Sequence, residues 1–180
     1  MSANTTSGFS IVSYVGNATA GATVGHGLGA VPKMIIIKPR DAVEGFVVQH
    51  ASRGPTKGLF LNLNNSEYTG TYFWNDTAPT SSVFTLSNHV LNNGSGNNMI
   101  GYCFAEIPGY SSIGSYEGNG STDGTFVATG FRPSFLLVKN IGAAESWQIR
   151  DSKRDHFNVS KEILYPITSG AEATSGGGQL

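Results

Sequence analysis

Short blocks in which apolar and polar residues alternate run through most of this chain. In "GLFLNLNN" the side chains of Leu59, Leu61 and Leu63 fall on one side of an extended segment, and the asparagines between and after them fall on the other. The blocks are bounded by glycine, asparagine and proline, and none of them keeps the 3.6-residue period of an amphipathic helix. The pattern therefore predicts an all-β protein.

The first hundred residues contain about eight such blocks. They lie near residues 9–15, 22–26, 33–38, 45–51, 58–63, 71–75, 82–87 and 98–105. Their spacing is typical of a β-sandwich or jelly roll. The blocks "KMIIIK" and "SFLLVK" are apolar at every inner position, which predicts a central strand covered on both faces.

One long stretch of the sequence occurs twice. "GFSIVSYVGNATAGATVGHGLGAVPKMIIIKPRDAVEGFVVQHASR" recurs as "GYSSIGSYEGNGSTDGTFVATGFRPSFLLVKNIGAAESWQIRDSKR", at a spacing of about 100 residues. The alignment pairs Phe9 with Tyr110, Gly16 with Gly118, Pro32 with Pro133, Lys38 with Lys139, Glu44 with Glu145, Phe46 with Trp147 and Arg53 with Arg154. This correspondence indicates a tandem duplication of one structural unit.

The duplication divides the chain into a linker at residues 1–8, a first β-sandwich-like unit at 9–108 and a second homologous unit at 109–180. The second unit lacks the closing strands of the first, and after Arg154 the segment "SKEIL" predicts a short helical turn. Two interpretations remain open: the sequence is a fragment of a longer protein, or a neighbouring chain supplies the missing strands by strand addition. The predicted fold is thus all-β, with two tandem jelly-roll or β-sandwich-like units of which the second is incomplete.

Charge and composition narrow the classes of partner. Charged residues make up 13% of the chain, against roughly 25% in typical soluble domains. The net charge is -1 and no cluster of lysine and arginine occurs, so we expect neither a nucleic-acid partner nor, without a long apolar run, membrane insertion. The single cysteine, Cys103, cannot form an intrachain disulfide and is expected to be a small buried residue.

The residues capable of catalysis form no recognisable signature. His26, His50, His89 and His156 lie far apart in the sequence. The aligned acids Glu44 and Glu145 fall in a predicted turn, where solvated carboxylates are usual, rather than in a pair suited to glycoside hydrolysis. No spacing of ligands indicates zinc or calcium. We therefore expect a protein that is not an enzyme and has no cofactor or metal.

One cluster has the composition of a ligand-binding site. In "TYFWNDTAPT", Tyr72, Trp74, Asn75 and Asp76 lie together at a predicted strand end. Lectins combine such residues by stacking a sugar on an aromatic face while polar side chains bind its hydroxyls. The alternative is a structural one, in which Trp74 packs between domains or in a trimer contact.

Four motifs carry a resemblance to a known family: "SGFSIVSYVGNATAGATVGHGLGAVPKMIIIK", "WNDTAPTSSVFTLSN", "NGSGNNMIGYCFAE" and the second copy of the first. Together they resemble a tandem β-repeat domain of marine bacteriophage virion proteins, usually labelled tail-fibre or structural proteins. The resemblance implies a virion structural protein assembled in the host cytoplasm. Its partners would be other virion chains, in a homo-oligomer such as a trimer, and a host-surface glycan. The alternatives are a carbohydrate-binding adhesin module and a capsid decoration protein.

Overall fold

The computed structural model describes residues 1–155 and 160–178, and these form an all-β protein, as predicted. The strands are β1 (Ser2–Asn4), β2 (Phe9–Val15), β3 (Thr23–Gly25), β4 (Met34–Pro39), β5 (Val47–His50), β6 (Lys57–Phe60), β7 (Tyr68–Thr69), β8 (Val83–Thr85), β9 (Asn98–Phe104), β10 (Phe135–Val138), β11 (Gln148–Asp151), β12 (Ser160–Ile163) and β13 (Ala173–Gly178). The helical elements within the described residues are a 3-10 turn at Ala51–Arg53 and the four-residue helix α1 at Val90–Asn93.

The chain folds into two compact units. The first contains Met1–Gly58 and Tyr68–Gly130, and the second contains Leu59–Glu67 together with the described residues from Phe131 onward.

The strands of the first unit form a seven-stranded sheet with the order β1-β2-β9-β4-β5-β6-β7, to which β6 contributes Lys57 and Gly58 from this unit, and β3 pairs separately with β8. Strand β9 lies between β2 and β4 and runs antiparallel to both. Residues 35–37 of β4 are buried, which confirms the predicted central strand. Gly101 of β9 allows close packing here, because a Cβ atom on it would lie 3.0 Å from the side chain of Val12.

In the second unit, β10 pairs with β11 and β12 pairs with β13, both antiparallel. Ile149 of β11 and Leu164, next to β12, exchange backbone hydrogen bonds of 2.9 and 3.1 Å. The indole of Trp147 is 3% exposed and its Nε1 donates to the Phe60 carbonyl at 2.7 Å. The Lys139 Nζ donates to the Asn64 carbonyl at 3.1 Å, so two side-chain bonds hold the segment Leu59–Glu67 in this unit.

The hairpins β4–β5 and β10–β11 have the same register. In the first, Met34 pairs with His50, and in the second, Phe135 pairs with Asp151. All four rungs of the second hairpin lie 101 residues after those of the first. The spacing of the sequence repeat is therefore also the spacing of a repeated backbone geometry.

The hydrogen bonds around the two hairpins repeat as well. In the connecting loops, the N–H of Glu44 donates to the Ala42 carbonyl at 3.0 Å, and the N–H of Glu145 donates to the Ala143 carbonyl at 2.9 Å. Both aligned glutamates thus lie in a tight turn, where the sequence placed them. The turn at the glutamate thus recurs in both copies although most side chains of the loop differ.

Three local predictions were wrong. Residues 71–75 form turns instead of a strand, and the neighbouring strand β7 lies at Tyr68–Thr69. The segment expected to form a helical turn is β12, because pairing with β13 overrides its weak helical preference. Within the predicted linker at residues 1–8, Ser2–Asn4 forms β1, which extends the sheet by pairing with β2.

Candidate functional site

The four residues predicted to bind a ligand lie in the turn segment between β7 and β8. The N–H of Asn75 donates to the Thr71 carbonyl at 3.3 Å, and the N–H of Thr77 donates to the Trp74 carbonyl at 3.0 Å. These bonds wind residues 71–77 into a compact turn. Neighbouring side chains therefore point in different directions instead of alternating across a strand.

Buried side chains next to helix α1 hold the start of this turn. The hydroxyl of Ser87 donates to the Tyr72 carbonyl, and the Ser87 N–H donates to the Phe73 carbonyl at 3.1 Å. The Nδ2 of Asn92 also donates to the Phe73 carbonyl. Because Ser87 and Asn92 are buried, these bonds are shielded from competing water and fix the turn in place.

The next residue of α1, Asn93, anchors a second loop. Its Nδ2 donates to the carbonyls of Thr19 at 3.0 Å and Ser87 at 2.6 Å, and its Oδ1 accepts from the Asn17 N–H at 2.9 Å. The amide is buried and satisfied through both its nitrogen and its oxygen. The two adjacent asparagines of α1 thus hold the loop after β2 and the turn before β8.

A phenol supports the same helix. The Tyr14 hydroxyl donates to the Asn92 carbonyl at 2.6 Å. Burial raises the pKa of Tyr14 far above its ordinary value, and so the phenol stays protonated and remains a donor.

The structure separates the four predicted residues into one buried and three accessible side chains. The indole of Trp74 is 1% exposed, and its Nε1 has no hydrogen-bond partner in the described part of the chain. Tyr72 is 60% exposed, Asp76 is exposed and Asn75 is half-buried. A buried indole has no free face for a sugar ring, so the aromatic face available at this turn is that of Tyr72 rather than Trp74.

Positive φ angles occur in the turn that carries Tyr72. Among the described residues, the non-glycine positions with positive φ are Ala18 (52°), Asn75 (50°) and Asp76 (50°). A Cβ atom on Gly21 would lie 3.9 Å from the Asn75 Nδ2, so the two loops that carry these residues meet. Non-glycine backbone held at positive φ often marks functional surfaces, and we call Gly21, Tyr72, Asn75 and Asp76 together the Tyr72 surface.

His26 is a structural residue. It is fully buried, its Nδ1 accepts from the Leu28 N–H at 3.3 Å, and its Nε2 lies 3.1 Å from the Thr80 carbonyl. Because Nδ1 accepts, the proton is assigned to Nε2, which donates to Thr80. Its carbonyl accepts from the Ser10 hydroxyl at 2.5 Å. The ring thus stabilises its own loop through Nδ1 and joins that loop to Thr80, 54 residues away, through Nε2.

Two other histidines cap helical turns. The Nδ1 of His50 accepts from the Ser52 N–H at 3.4 Å, and the Nδ1 of His89 accepts from the Leu91 N–H at 3.2 Å. Burial, followed by the charge of a nearby arginine, lowers the pKa of His50. His156 lies outside the described residues.

Cys103 is fully buried in β9 between β2 and β4. Burial raises the pKa of its thiol to about 12. Since the thiolate is the reactive form, this shift and the lack of access both make the thiol inert at neutral pH.

We expect native protein at pH 8 to leave Cys103 unmodified by Ellman's reagent, and urea-unfolded protein to react fully. The rise from 9.0 to about 12 lowers the thiolate fraction about 1,000-fold below that of an exposed thiol. The control is Ser95→Cys in a Cys103→Ser background, because position 95 is exposed. If native Cys103 reacted as fast as this control, the buried assignment would be wrong.

Two carboxylates of the first unit accept backbone N–H hydrogen bonds at the end of a strand or in a turn. Both Asp41 oxygens accept from the Asn98 N–H, at 3.1 and 3.0 Å, and these bonds are the main cause of the lowered pKa of Asp41. The Glu106 Oε1 accepts from the Ile113 N–H at 2.6 Å. Each carboxylate also accepts from a side chain, Asp41 from the Asn98 Nδ2 at 2.8 Å and Glu106 from the Ser112 hydroxyl at 3.3 Å, so both groups are occupied by structural hydrogen bonds.

The second unit uses its carboxylates in the same way. The Asp151 Oδ1 accepts from the Arg154 N–H at 3.0 Å, and its Oδ2 accepts from the Arg154 Nε at 2.8 Å. These bonds lower the pKa of Asp151. The Asp155 Oδ2 accepts from the Glu162 N–H at 3.0 Å. In the sequence repeat Asp151 replaces His50, and both residues cap the turn that follows their strand.

Sequence reasoning missed one pair of acids, Glu162 and Glu172. A hydrogen bond between their carboxyl groups, followed by charge repulsion, raises the pKa of Glu162. Arg154 lies 3.4 Å from the Glu172 carboxylate. The two acids meet because β12 and β13 pair, and no local pattern near either residue indicates that pairing.

No group of three or more histidine, cysteine or acidic side chains among the described residues is placed to hold a metal ion. The helices there are likewise too short to cross a membrane.

Comparison with known proteins places the chain in a family. The profile of a family described as a domain of unknown function, DUF7483, matches residues 1–180. Searches of curated proteins and of solved structures gave no match. Because the match extends over all 180 residues, the chain belongs to the DUF7483 family.

Proposed function

We propose that this chain is a non-enzymatic structural segment of a bacteriophage virion protein, of the kind found in tail fibres and other host-contacting appendages. In this proposal it consists of two tandem β-sandwich-like units, the second incomplete. The observation that carries the structural role is the repeated hairpin, with the same register at a spacing of 101 residues. The assignment to a virion rests on the four sequence motifs that resemble phage structural proteins.

Differences between the copies support a structural role. At the hairpin ends His50 is replaced by Asp151, while Phe46 in the first copy corresponds to Trp147 in the second. The turn bonds persist through these changes. The copies therefore share a backbone framework rather than a set of reactive side chains, as expected when units are repeated to lengthen a protein.

The Tyr72 surface supports a second candidate, a carbohydrate-binding module. Tyr72 is 60% exposed there, and the polar residues Asn75 and Asp76 follow it in the same turn at positive φ. Such a surface suits the ring and hydroxyls of a host-surface sugar. A capsid decoration protein is the third alternative, and it would bind assembled shells and increase their resistance to heat.

The test is light scattering coupled to size-exclusion chromatography, with a glycan array probed by the same sample. We expect a stable oligomer that binds no glycan, since the proposed partners are other virion chains. A monomer that binds a defined sugar, with affinity lost in Tyr72→Ala, would contradict the structural proposal and favour the carbohydrate-binding module. The matched control is Tyr68→Ala, another exposed tyrosine of the first unit.

A further inference from the structure

Strand β10 has one paired edge and one open edge. Its only ladder among the described residues is with β11. The corresponding strand of the first unit, β4, pairs with β5 on one edge and with β9 on the other, over six rungs from Met34–Phe104 to Pro39–Met99. In its described residues, the second unit therefore repeats the β4–β5 hairpin without a strand in the place that β9 has in the first unit.

The backbone groups that face the open edge can be assigned from hydrogen-bond alternation. The Ser152 N–H donates to the Ser134 carbonyl at 3.0 Å, on the side of β11. In an antiparallel pair, alternate residues direct their N–H and C=O groups to the same side. Ser134 and every second residue after it therefore face β11. The N–H and C=O groups of Phe135 and Leu137 point the other way, toward the open edge.

The first unit shows how the equivalent groups are satisfied. The Arg40 N–H donates to the Asn98 carbonyl at 2.7 Å, which places Arg40 and the alternate residues before it on the β9 side of β4. Ile36 belongs to this set and is paired with Tyr102. Since Leu137 lies 101 residues after Ile36, its free N–H and C=O correspond to groups that bond β9 in the first unit.

The side chains of β10, which has one paired edge, are less buried than those of β4, which has two. Residues 35–37 of β4 are buried, but residues 136–138 of β10 are only half-buried. Phe135 is 59% exposed, whereas Met34 at the same register position is half-buried. An open edge that carries apolar side chains is a surface on which another strand can pair.

We propose that the open edge of β10 binds an uncharged antiparallel strand of the β9 type, in the register that β9 has on β4. In this register an aromatic residue lies opposite Phe135, a second one lies opposite Leu137 and a glycine lies opposite Val138. The partner is thus an uncharged extended segment with the pattern of "MIGYCF". This inference deepens the proposed structural role, because strand addition would join successive chains of a fibre.

The direct test measures binding of a synthetic peptide to the complete chain. The peptide has the sequence of residues 98–106 with serine in place of Cys103, and a fluorophore reports binding by anisotropy. Two further peptides each carry one backbone N-methyl group, at the position of Tyr102 or of Gly101. The Ala105 N–H donates to the Gly8 carbonyl at 2.7 Å, so the N–H of Gly101 faces β2, whereas that of Tyr102 faces β4.

We expect the parent peptide and the Gly101-methylated peptide to bind with similar affinity. Methylation at Tyr102 should weaken binding at least about 10-fold, because it removes a donor and places a methyl group against β10. Equal binding of the two methylated peptides would overturn the proposal, as would failure of the parent peptide to bind.

A variant of the acceptor identifies the binding edge. Leu137→Pro removes the N–H that faces the open edge. It leaves the hydrogen bonds between β10 and β11 intact, and proline is tolerated on edge strands. We expect this variant to keep its circular dichroism spectrum and to lose the peptide. If the variant unfolds, the methylated peptides still test the proposal on the unaltered chain.

Two results with Leu137→Pro would contradict a β9-type strand at this edge. Peptide binding that persists in folded Leu137→Pro would place the peptide elsewhere and overturn the proposal. A dimer that dissociates in Leu137→Pro and captures no peptide would assign the edge to β10 of a second copy, which also overturns the β9-type partner. Either result leaves the proposed structural role to be judged by the glycan array and the oligomeric state.

Discussion

Trp74→Ala is expected to lower the free energy of unfolding by about 3–5 kcal/mol. The indole is 1% exposed, so its removal both forfeits the transfer free energy of a large apolar ring and leaves a cavity in the first unit. The surrounding backbone has little freedom to close that cavity, because Ser87 and Asn92 hold the carbonyls of the preceding residues. Urea unfolding followed by far-UV circular dichroism measures the loss.

Two companion variants make this prediction specific. Tyr72→Ala changes an aromatic residue two positions away that is 60% exposed, and we expect it to cost less than about 0.5 kcal/mol. Trp74→Phe retains an aromatic ring and removes the unpaired Nε1 donor, so we expect a loss below about 1.5 kcal/mol. Equal losses for Tyr72→Ala and Trp74→Ala would contradict the burial assigned to Trp74.

The same variants separate folding from ligand binding. A sugar that stacks on this turn must contact Tyr72, because Trp74 has no accessible face. Tyr72→Ala therefore reports on recognition in a folded protein, and Trp74→Ala reports on stability. Loss of glycan binding in Trp74→Ala alone would be a consequence of unfolding.

Gly16→Ala is expected to lower the free energy of unfolding by about 3 kcal/mol. A Cβ atom on Gly16 would lie 2.8 Å from the backbone carbon of Asn93 and closer still to the Gly94 carbonyl oxygen. Neither segment can move freely, since the Gly16 N–H donates to the Asn97 carbonyl at 2.9 Å and its carbonyl accepts from the Gly96 N–H at 2.9 Å.

The sequence repeat provides the control. Gly118 aligns with Gly16, but a Cβ atom there would meet nothing within 4 Å, and its φ lies outside the left-handed region. Gly118→Ala should therefore change the free energy of unfolding by less than about 1 kcal/mol, in either direction. Similar losses for both alanine variants would show that the close approach at Gly16 does not constrain the fold.

Most strands of the first unit were predictable from sequence because their side-chain alternation is a local property. The blocks at 9–15 and 98–105 correspond closely to β2 and β9, and the apolar block before Lys38 corresponds to β4. The block at 71–75 was misread as a strand. Ser87 and Asn92 bind the backbone carbonyls of Tyr72 and Phe73 and hold this block in a turn, which no local pattern reveals.

The candidate site was only partly predictable for the same reason. The sequence brought Tyr72, Trp74, Asn75 and Asp76 to attention as a group, since aromatic and polar residues are adjacent there. It carried no information on which aromatic ring faces the solvent. That choice depends on the winding of the turn, which bonds from helix α1 hold in place.

The amino-acid sequence alone was sufficient for the β class, the repeat and its spacing, because alternation and recurring proline-bounded apolar blocks are visible along the chain. Long-range contacts decided how the loops are anchored, which segments form strands and which strand edge stays unpaired. The buried side chain of Asn93 bonds a residue 74 positions away, pairing with β13 makes a strand of residues 160–163, and the lack of a partner leaves the edge of β10 open. Each outcome depends on which distant segments meet, because burial and backbone pairing are satisfied between segments rather than within them.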